Sequence, residues 1–464
     1  MEKFKDECGI VAVSMKNHID VAELVFFGLS GLQHRGQQSV GLAVASGGVI
    51  SCYKDTGLVT EVLDEKILTL LKGDMALGHV KYGPETESFQ IFAQPLVINY
   101  KNGSIAVAFN GALTNGKALR GQMEDNGVIF STKTDCEVVA ALVARHDKGD
   151  IGVALKEMMK EVKGGYAVGV MTQDAIIGAR DPLGIRPLAL GKINGGYALA
   201  SESCAFDMME GDFVRDIKPG EIVIIKNDDL HSINTIDTAT TTPKRAMCSF
   251  EYVYFARPDS IIDGKDVYKV RETAGKTLAM ESPANADIVL GVPDSGTPAA
   301  IGYSLGAGIP FRQGLIKNKY IGRTFIQPTK LQREIGVRIK LNPIKSIVEG
   351  KSVVLVDDSI VRGTTMRKII SSIKGVGAKE VHLRICSPPI RYSCFFGVDT
   401  PDIKDFIASD HTIDEIRDEL GADSLAFIST EGLLSSLGGS ASSSIEGTGY
   451  CTGCFCGSYP LDVD

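Results

Sequence analysis

Residues 353–365 have the sequence Val-Val-Leu-Val-Asp-Asp-Ser-Ile-Val-Arg-Gly-Thr-Thr. The four apolar residues at 353–356 predict a buried strand of a parallel sheet. Asp357 and Asp358 then fall at the carboxyl end of that strand, which is where open α/β sheets bind their ligands. This stretch therefore predicts an α/β fold with a binding site at one edge of its sheet.

The residues after the acid pair predict an anion site. Gly363 allows a tight turn, and Thr364 and Thr365 are predicted to cap a helix that begins at Met366. Main-chain N–H groups at such a turn and helix start bind phosphate, while neighbouring carboxylates suit ribose hydroxyls or a Mg²⁺ ion. A sugar phosphate is thus the expected ligand. The alternative is an ordinary strand that ends in a solvated acidic turn, and the order of strand, acids, glycine and threonines disfavours it.

The composition limits the classes of protein to which the chain can belong. At 464 residues it is too long for one ordinary core, which predicts two domains. The net charge of −8 and the pI near 5.5 offer no basic field for nucleic acid or an anionic membrane. No apolar run reaches the roughly 18 residues of a membrane span, and no apolar signal core follows Lys3 and Lys5. We therefore expect a cytoplasmic protein without nucleic-acid or membrane partners.

A polar stretch at 237–245 separates two regions of different pattern and is predicted to be a linker. Before it, short apolar runs between glycines, such as 165–171 and 197–201, predict packed β-sheets. After it, apolar strands alternate with helical patterns, which predicts a parallel sheet flanked by helices. Strands are expected at 288–292, 353–356 and 381–385, one helix at 363–376, and a flexible segment at 435–449.

Cys8 opens an apolar run, Cys-Gly-Ile-Val-Ala-Val, and alone such a cysteine is more often a small buried hydrophobe than a nucleophile. Three further segments change this interpretation. They are Leu-Gln-His-Arg-Gly-Gln-Gln-Ser at 32–39, Phe-Asn-Gly-Ala-Leu-Thr-Asn at 109–115 and Thr-Asp-Cys-Glu-Val-Val at 134–139. Together with Cys8 they resemble the class II glutamine amidotransferases, which use an N-terminal nucleophile (Ntn).

The segment at 353–365 resembles the signature of type I phosphoribosyltransferases, which bind phosphoribosyl pyrophosphate (PRPP). Over essentially its whole length the chain resembles the glutamine PRPP amidotransferases, in their iron–sulfur-containing branch. The resemblance implies an N-terminal αββα Ntn-hydrolase sandwich at 8–240. It also implies a C-terminal α/β type I phosphoribosyltransferase domain with a parallel sheet at 245–464, and a propeptide at 1–7 that is removed by self-cleavage.

The resemblance implies an enzyme that opens de novo purine synthesis. Glutamine, water and PRPP would become 5-phosphoribosylamine, glutamate and pyrophosphate, with ammonia passing internally. Cys8 would be the nucleophile with its own α-amine as base, and Asn110 and Gly111 would form the oxyanion hole. The implied glutamine contacts are Lys81, Asp135 and Arg35.

The resemblance also implies a PRPP site with Mg²⁺ held by Ser295, Asp357 and Asp358. Residues 323–342 are expected to form a lid over that site, although an exposed amphipathic segment is the alternative. The implied PRPP contacts are Asp357, Asp358, Ser359, Arg362, Gly363, Thr364, Thr365, Lys330 and Arg333, with Lys340 as a further candidate. Purine nucleotides are the expected inhibitors, and a homotetramer or homodimer is the expected assembly.

Two positions depart from the family pattern. Lys81, in Gly-His-Val-Lys-Tyr-Gly-Pro at 78–84, replaces the arginine that clamps the glutamine α-carboxylate, and Ala112 replaces an asparagine. A lysine is a point charge and cannot reproduce a bidentate guanidinium contact. We expect weaker glutamine binding with intact chemistry, because Cys8, Asn110 and Asp135 remain.

Four dispersed cysteines, Cys248, Cys394, Cys451 and Cys454, match the positions that carry a [4Fe–4S] cluster in that branch. From the ligand type alone, a structural zinc site or metal-free thiols are the alternatives. Cys456 is an extra thiol beside the pair. The remaining cysteines are expected to fill the core: Cys52, Cys136, Cys204 and Cys386.

Two other functions stay open on the sequence alone. One is an ammonia-dependent phosphoribosyltransferase whose glutaminase half has decayed around Lys81. The other is a PRPP-sensing regulator without catalysis, since a fold does not fix a function. Retention of Met1–Glu7 would favour the first, and the acidic pI argues against a DNA-binding form of the second.

Overall fold

The structure is a computed structural model and describes residues 5–6, 8–16, 20–82, 92–236, 244–318, 341–438 and 449–463. Most of the predicted linker at 237–245 and of the predicted flexible segment at 435–449 lies outside these residues. The same is true of the candidate PRPP contacts Lys330, Arg333 and Lys340. In the part of the chain that is described, no helix combines the length and the apolar character needed to cross a bilayer.

The first half contains two antiparallel sheets that pack face to face. In the described part of the chain, the strands of the first sheet lie in the order Asp212–Asp216, Ala189–Ile193, Gly196–Ala200, Cys8–Ser14, Met75–Lys81, Ser39–Ser46 and Val49–Thr56. Those of the second lie in the order Asp229–Asn234, Glu221–Lys226, Ile176–Arg180, Gly164–Met171, Gly103–Leu113 and Leu96–Tyr100. The packed sheets predicted from 165–171 and 197–201 are confirmed.

Helices cover the outer face of each sheet, which completes the αββα sandwich. Val11 and Val13 face the helices of the first sheet, whereas Ile10 and Ala12 face the second sheet. This alternation follows from the two-residue repeat of a strand and explains why the whole strand is apolar. The helices are Val21–Gly31, Val59–Val62, Glu65–Leu70 and Cys204–Met208 on one side and Gly116–Asp125, Asp135–His146 and Ile151–Glu161 on the other.

The second half is built on a parallel sheet, as the sequence predicts. Its described strands lie in the order Ile288–Gly291, Ser352–Asp357, Glu380–Ile385 and Ser424–Phe427. Val354 and Val356 belong to one core and Val353 and Leu355 to another, so both faces of the central strand are buried. The strand predicted from 353–356 is confirmed and extends by one residue at each end.

Helices and short ribbons surround this sheet. The helices are Val267–Glu281, Thr297–Ala307, Lys345–Val348, Thr364–Gly375, Ile407–Asp410, Ile413–Leu420, Thr430–Ser436 and Gly453–Cys456, with a π-helix at Glu251–Phe255 and a 3₁₀ turn at Ile403–Asp405. The paired short strands are Lys5–Asp6 with Val398–Asp399, Met247–Cys248 with Tyr450–Cys451, Ile261–Ile262 with Lys265–Asp266, and Leu315–Lys317 with Leu341–Pro343.

Three details correct the sequence predictions. The helix after the acid pair begins at Thr364 instead of Met366, and Gly363, with φ of 74°, takes the N-cap position assigned to the threonines. A glycine in the left-handed region completes the turn by itself, so the next residue is already helical. Ser435 and Ser436 end a helix and are not part of a flexible segment. Cys52 is exposed because its strand is at the edge of the first sheet.

Candidate functional site

Cys8 is the first residue of its strand and is buried. In the antiparallel ladder Cys8 pairs with Lys81, which is half-buried. The Arg35 Nε donates a hydrogen bond of 3.1 Å to the main-chain carbonyl of Cys8. Two of the residues predicted to bind glutamine therefore adjoin the candidate nucleophile.

Asn110 and Gly111 are on the strand Gly103–Leu113 of the second sheet, which contacts the strand of Cys8. Asn110 is fully buried, and neither side-chain amide atom has a hydrogen-bond partner among the described residues. Leaving a buried amide unsatisfied costs free energy, so such a group suggests a ligand site. Gly111 has φ of 134°, and a Cβ there would be 2.0 Å from the Gly165 carbonyl oxygen, so only glycine fits.

Asp135 begins the helix Asp135–His146, and its Oδ2 accepts a hydrogen bond of 2.8 Å from the Leu113 main-chain N–H. Burial raises the pKa of this carboxyl, and the Leu113 bond and the charges of Arg120 and Lys81 oppose the shift. Lys81 is therefore close enough to act on Asp135. A cation and a carboxylate side by side match the α-carboxylate and α-ammonium of an amino acid.

His79 is fully buried beside this site, and its Nε2 is 3.2 Å from the Phe109 carbonyl oxygen. Burial lowers the pKa of His79 to about 3, with a further contribution from Lys81. A histidine that stays neutral at working pH and faces a main-chain carbonyl is not arranged to deprotonate Cys8. The α-amine that removal of residues 1–7 would expose stays the predicted base.

Gly397, which sequence reasoning missed, belongs to the second half of the chain but packs on the oxyanion glycine of the first. A Cβ on Gly397 would be 2.4 Å from the Gly111 Cα. The Gly397 carbonyl accepts a 2.5 Å hydrogen bond from the buried Arg186. A glycine nearly 290 positions away carries no sequence signal for this contact, because only the fold brings the two segments together.

The acid pair of the second half is at the carboxyl end of the central strand, as predicted. Asp357, Asp358 and Ser359 are all buried. Asp357 Oδ1 accepts a 2.9 Å bond from the Asp358 N–H, and Ser359 Oγ donates a 2.6 Å bond to Asp358 Oδ2. These bonds hold the carboxylates at the sheet edge.

The turn at Gly363 leads into the helix Thr364–Gly375, whose first main-chain N–H groups point out of its N-terminal end. Thr364 and Thr365 form the first helical turn and are therefore placed to bind an anion through their main chain. Arg362 forms a 2.9 Å ion pair with Asp405, and both side chains are solvent-accessible.

Ser295 follows the strand Ile288–Gly291 and faces the acid pair across a small cavity. The cavity has about 280 Å³ of empty space, and Ser295 and Asp358 both line it. A Cβ on the neighbouring Gly296 would be 3.0 Å from the Asp357 Cα, so the two loops are in contact. Two of the three predicted Mg²⁺ ligands thus share one cavity wall, and the third is adjacent.

Cys248, Cys394, Cys451 and Cys454 come together around one cavity with about 420 Å³ of empty space, near the junction of the two halves. Cys248 is about 200 positions before Cys451, and the parallel pairing of Met247–Cys248 with Tyr450–Cys451 brings these two together. Burial raises the pKa of the Cys451 thiol to about 12 and those of Cys248 and Cys454 well above the ordinary value.

By ligand type, four thiols around one cavity suit a thiolate-ligated cluster. Arg186 is on the cavity wall, where its charge lowers the pKa of Cys248 against the effect of burial, and the Phe396 N–H donates a 3.3 Å bond to Cys394 Sγ. Positive charge and N–H groups near sulfur are what thiolate-ligated clusters need. Cys456 does not line the cavity, and its thiol bonds to the Thr452 carbonyl at 3.3 Å. Among the described residues, no group of three or more His, Cys, Asp or Glu side chains is arranged to hold a metal ion.

Comparison with protein families gives two matches along the chain. Residues 88–208 match a glutamine amidotransferase domain, and residues 261–386 match a phosphoribosyl transferase domain. The first range contains Asn110, Gly111 and Asp135, and the second contains Ser295 and the acid pair.

Full-length relatives and solved structures agree with these matches. The amidophosphoribosyltransferase of Bacillus subtilis is 44% identical over 99% of this chain and 95% of its own length, and that of Archaeoglobus fulgidus is 46% identical over 98% of each chain. The structure of the B. subtilis glutamine PRPP amidotransferase complexed with ADP and GMP superposes with a TM-score of 0.90, at 44% identity over 98% of both chains. A structure described as the allosteric regulatory enzyme of purine biosynthesis superposes with a TM-score of 0.92. With this similarity over almost its whole length, the chain belongs to the amidophosphoribosyltransferases, a family of transferase enzymes.

Proposed function

We propose that this protein converts glutamine, PRPP and water into 5-phosphoribosylamine, glutamate and pyrophosphate, and so commits PRPP to purine synthesis. The observation that carries the proposal is the contact between Gly397 of the second half and Gly111 of the first. It supports the proposal because Gly397 belongs to the half of the chain with the proposed sugar-phosphate site and packs on the proposed oxyanion hole. Internal transfer of ammonia requires such contact between the two halves.

The glutaminase step assigns roles to Cys8 and to the candidate site residues around it. With residues 1–7 removed, the α-amine of Cys8 takes the thiol proton and the thiolate attacks the glutamine side-chain amide. Asn110 Nδ2 and the Gly111 N–H donate to the developing oxyanion. Asp135 pairs with the α-ammonium and Lys81 with the α-carboxylate of glutamine. The amine then protonates the leaving ammonia, and water hydrolyses the thioester to glutamate.

Arg35 has a second role in this scheme. We assigned it to glutamine from the sequence, and this assignment stays a prediction. Its guanidinium is buried and already engaged with the Cys8 carbonyl and with Glu202 and Glu251. The contacts of its guanidinium therefore support a role in holding the backbone of the nucleophile.

The ribosyl step uses the carboxyl edge of the parallel sheet. The N–H groups of Gly363, Thr364 and Thr365 bind the 5-phosphate, while Asp357 and Asp358 accept hydrogen bonds from the ribose hydroxyls. The further proposed PRPP contacts are Ser359, Arg362, Lys330 and Arg333, of which the last two lie outside the described residues. Ammonia attacks C1 of the ribose and pyrophosphate leaves.

Two cofactors are part of the proposal. Mg²⁺ would be held by Ser295, Asp357 and Asp358, and it would neutralise charge on the pyrophosphate leaving group. A [4Fe–4S] cluster would be held by the four cavity cysteines, where its role is structural or oxygen-sensing because no step moves electrons. A structural zinc site on the same four cysteines is the alternative.

The remaining assignments concern regulation, domain boundaries, assembly and location. The solved B. subtilis relative is complexed with ADP and GMP, which supports purine nucleotides as inhibitors of this chain. We also propose domain boundaries at 8–240 and 245–464, a homo-oligomeric assembly and a cytoplasmic location.

The test is to measure glutamate release with and without PRPP, together with the formation of phosphoribosylamine. We expect strong stimulation by PRPP. The control is Cys8→Ala, which removes the nucleophile and should abolish glutamine-dependent synthesis while ammonia-dependent synthesis continues. Retention of residues 1–7 with ammonia-dependent activity alone would favour a decayed glutaminase, and PRPP binding without turnover would favour a regulator.

A further inference from the structure

A network of buried ion pairs connects the two halves of the chain at Glu251. The Arg35 guanidinium donates to both oxygens of Glu251, at 3.0 Å and 2.7 Å, and Arg186 donates to Glu251 Oε1 at 3.3 Å. Glu202 accepts a further 2.5 Å bond from Arg35. All four side chains are buried, so two positive and two negative charges balance without solvent.

This network reaches the nucleophile through Arg35. The same guanidinium whose terminal nitrogens are held by Glu251 donates its Nε to the Cys8 carbonyl. A planar guanidinium is rigid, so the orientation of its terminal nitrogens fixes the direction of Nε. Glu251 therefore acts on the position of the Cys8 backbone through Arg35.

Glu251 is also the first residue of the π-helix Glu251–Phe255, whose other contacts lead to the ribosyl cavity. Arg271 donates to the carbonyls of Tyr252 and Ala256, both at 2.7 Å. Arg271 and Tyr252 line the cavity that contains Ser295 and Asp358. One short helix is thus held at one end by the network beside Cys8 and along its length by an arginine of the PRPP cavity.

We propose that Glu251 and Arg271 are positioning residues, through which occupation of the ribosyl cavity by the PRPP anion aligns Cys8 for attack on glutamine. A π-helix is a rare element that is often found at functional sites, and here it carries Glu251 at its start and the carbonyl of Tyr252 that Arg271 binds. A polyanion in the cavity attracts the buried Arg271 guanidinium and changes its hold on the two carbonyls. The helix then shifts, and Glu251, which begins it, moves Arg35 with it.

This inference rests on the proposed function, because it assigns the residues that connect the two half-reactions. Glu251→Gln keeps the shape of the side chain but removes the charge that holds two arginines. We expect the stimulation of glutaminase by PRPP to fall about 10-fold, mainly in kcat and not in the KM for glutamine. Ammonia-dependent synthesis should stay within about twofold of the unsubstituted protein.

The matched control is Glu221→Gln. Glu221 is also a buried carboxylate that accepts two bonds from one arginine, Arg215, at 2.8 Å and 2.7 Å, but it lies on a strand of the second sheet of the first half. It should leave the stimulation unchanged. Glu251→Asp, which keeps the negative charge, should retain part of the stimulation that Glu251→Gln loses.

Arg271→Lys tests the end of the proposed connection at the ribosyl cavity. Its result does not depend on folding of the Glu251 variant. A lysine cannot bridge two carbonyls in fixed geometry, so stimulation at saturating PRPP should also fall. If both residues act through one element, the double variant should lose no more PRPP stimulation than the more impaired of the two single variants.

Three outcomes would overturn the inference: additive losses, unchanged stimulation in Glu251→Gln, or an equal loss of its ammonia-dependent synthesis. A failure of the proposed function is distinct from these, since it would be visible in the unsubstituted protein as glutamate release that ignores PRPP.

Discussion

Gly397 and Gly111 are in main-chain contact across the two halves of the protein. A Cβ on Gly397 would be 2.4 Å from the Gly111 Cα and 3.0 Å from the Ala112 nitrogen, and Gly397 has φ of 94°. No side chain larger than hydrogen fits between the two backbones. The segment that contains Cys394 and Val398 therefore packs directly against the candidate oxyanion hole.

Gly397→Ala should displace Gly111 and lower the glutaminase rate by about 10²-fold, because an oxyanion donor acts only when it is correctly aimed. The comparison variant is Gly421→Ala, where φ is 72° and nothing lies within 4 Å of the added Cβ. It carries a similar backbone strain of about 1 kcal/mol without the clash. Equal glutaminase losses in both variants would contradict the prediction.

Asn110→Ala should separate activity from stability. Its buried amide has no hydrogen-bond partner among the described residues, so its removal should change the free energy of unfolding by less than about 1 kcal/mol. The glutaminase rate should fall by about 10²–10³-fold. The control is Gln94→Ala, which leaves the Phe109 N–H without its 2.7 Å acceptor and should cost about 1–3 kcal/mol. A large loss of stability in the Asn110 variant would argue for a structural amide.

Lys81→Arg should lower the KM for glutamine about fivefold, because a guanidinium can bind a carboxylate through two parallel bonds. The site permits the change, since Lys81 is only half-buried at the end of its strand. Lys192→Arg, an exposed position on the strand Ala189–Ile193, serves as the neutral comparison. An unchanged KM would mean that Lys81 does not contact the α-carboxylate.

Asp216→Asn should stabilise the protein above pH 6. Burial, with a contribution from Asp263, raises the pKa of Asp216 to about 6, above its value of about 3.9 in the unfolded chain. Between these values the folded state binds the extra proton, so stability falls as pH rises and the penalty stays constant above pH 6. Asparagine carries no such penalty, and we expect a gain of about 1–2 kcal/mol at pH 8 and none at pH 4.

Urea titrations of Asp216→Asn at both pH values measure this difference. The exposed Asp212→Asn on the same strand controls for a general change in net charge. A gain of equal size at pH 4 and pH 8 would show that the pKa of Asp216 is not the cause.

The parts of the fold that were predictable are those in which local chemistry decides. Apolar runs gave the strand Ser352–Asp357 and its neighbours, and the acid pair marked the edge of the sheet. The cap at Thr364 was predicted wrongly because its threonines are good caps in isolation, whereas the left-handed Gly363 had already completed the turn. Local propensity does not show which of two adjacent signals prevails.

The contacts between halves were not predictable from local pattern. Glu251 and Arg186 look like ordinary charged residues in sequence, and burial of both becomes reasonable only when Arg35 is seen between Glu202 and Glu251. Likewise, nothing in the sequence around Gly397 indicates a partner at Gly111. The members of each pair are more than 60 residues apart in sequence. Each residue type is favourable at its position only because of its distant partner.

The four-cysteine cavity gives the last prediction. Cys394→Ser should remove the visible absorbance and the iron and sulfide of the purified protein, because a hydroxyl is a poor ligand for iron in a thiolate cluster. Cys456→Ser should leave them intact, because the Cys456 thiol bonds to the Thr452 carbonyl and does not line the cavity. The two variants make the same atomic change in the same region, so general instability does not explain a difference between them. Stoichiometric zinc without iron, or equal loss of iron in both variants, would contradict the assignment of the cluster.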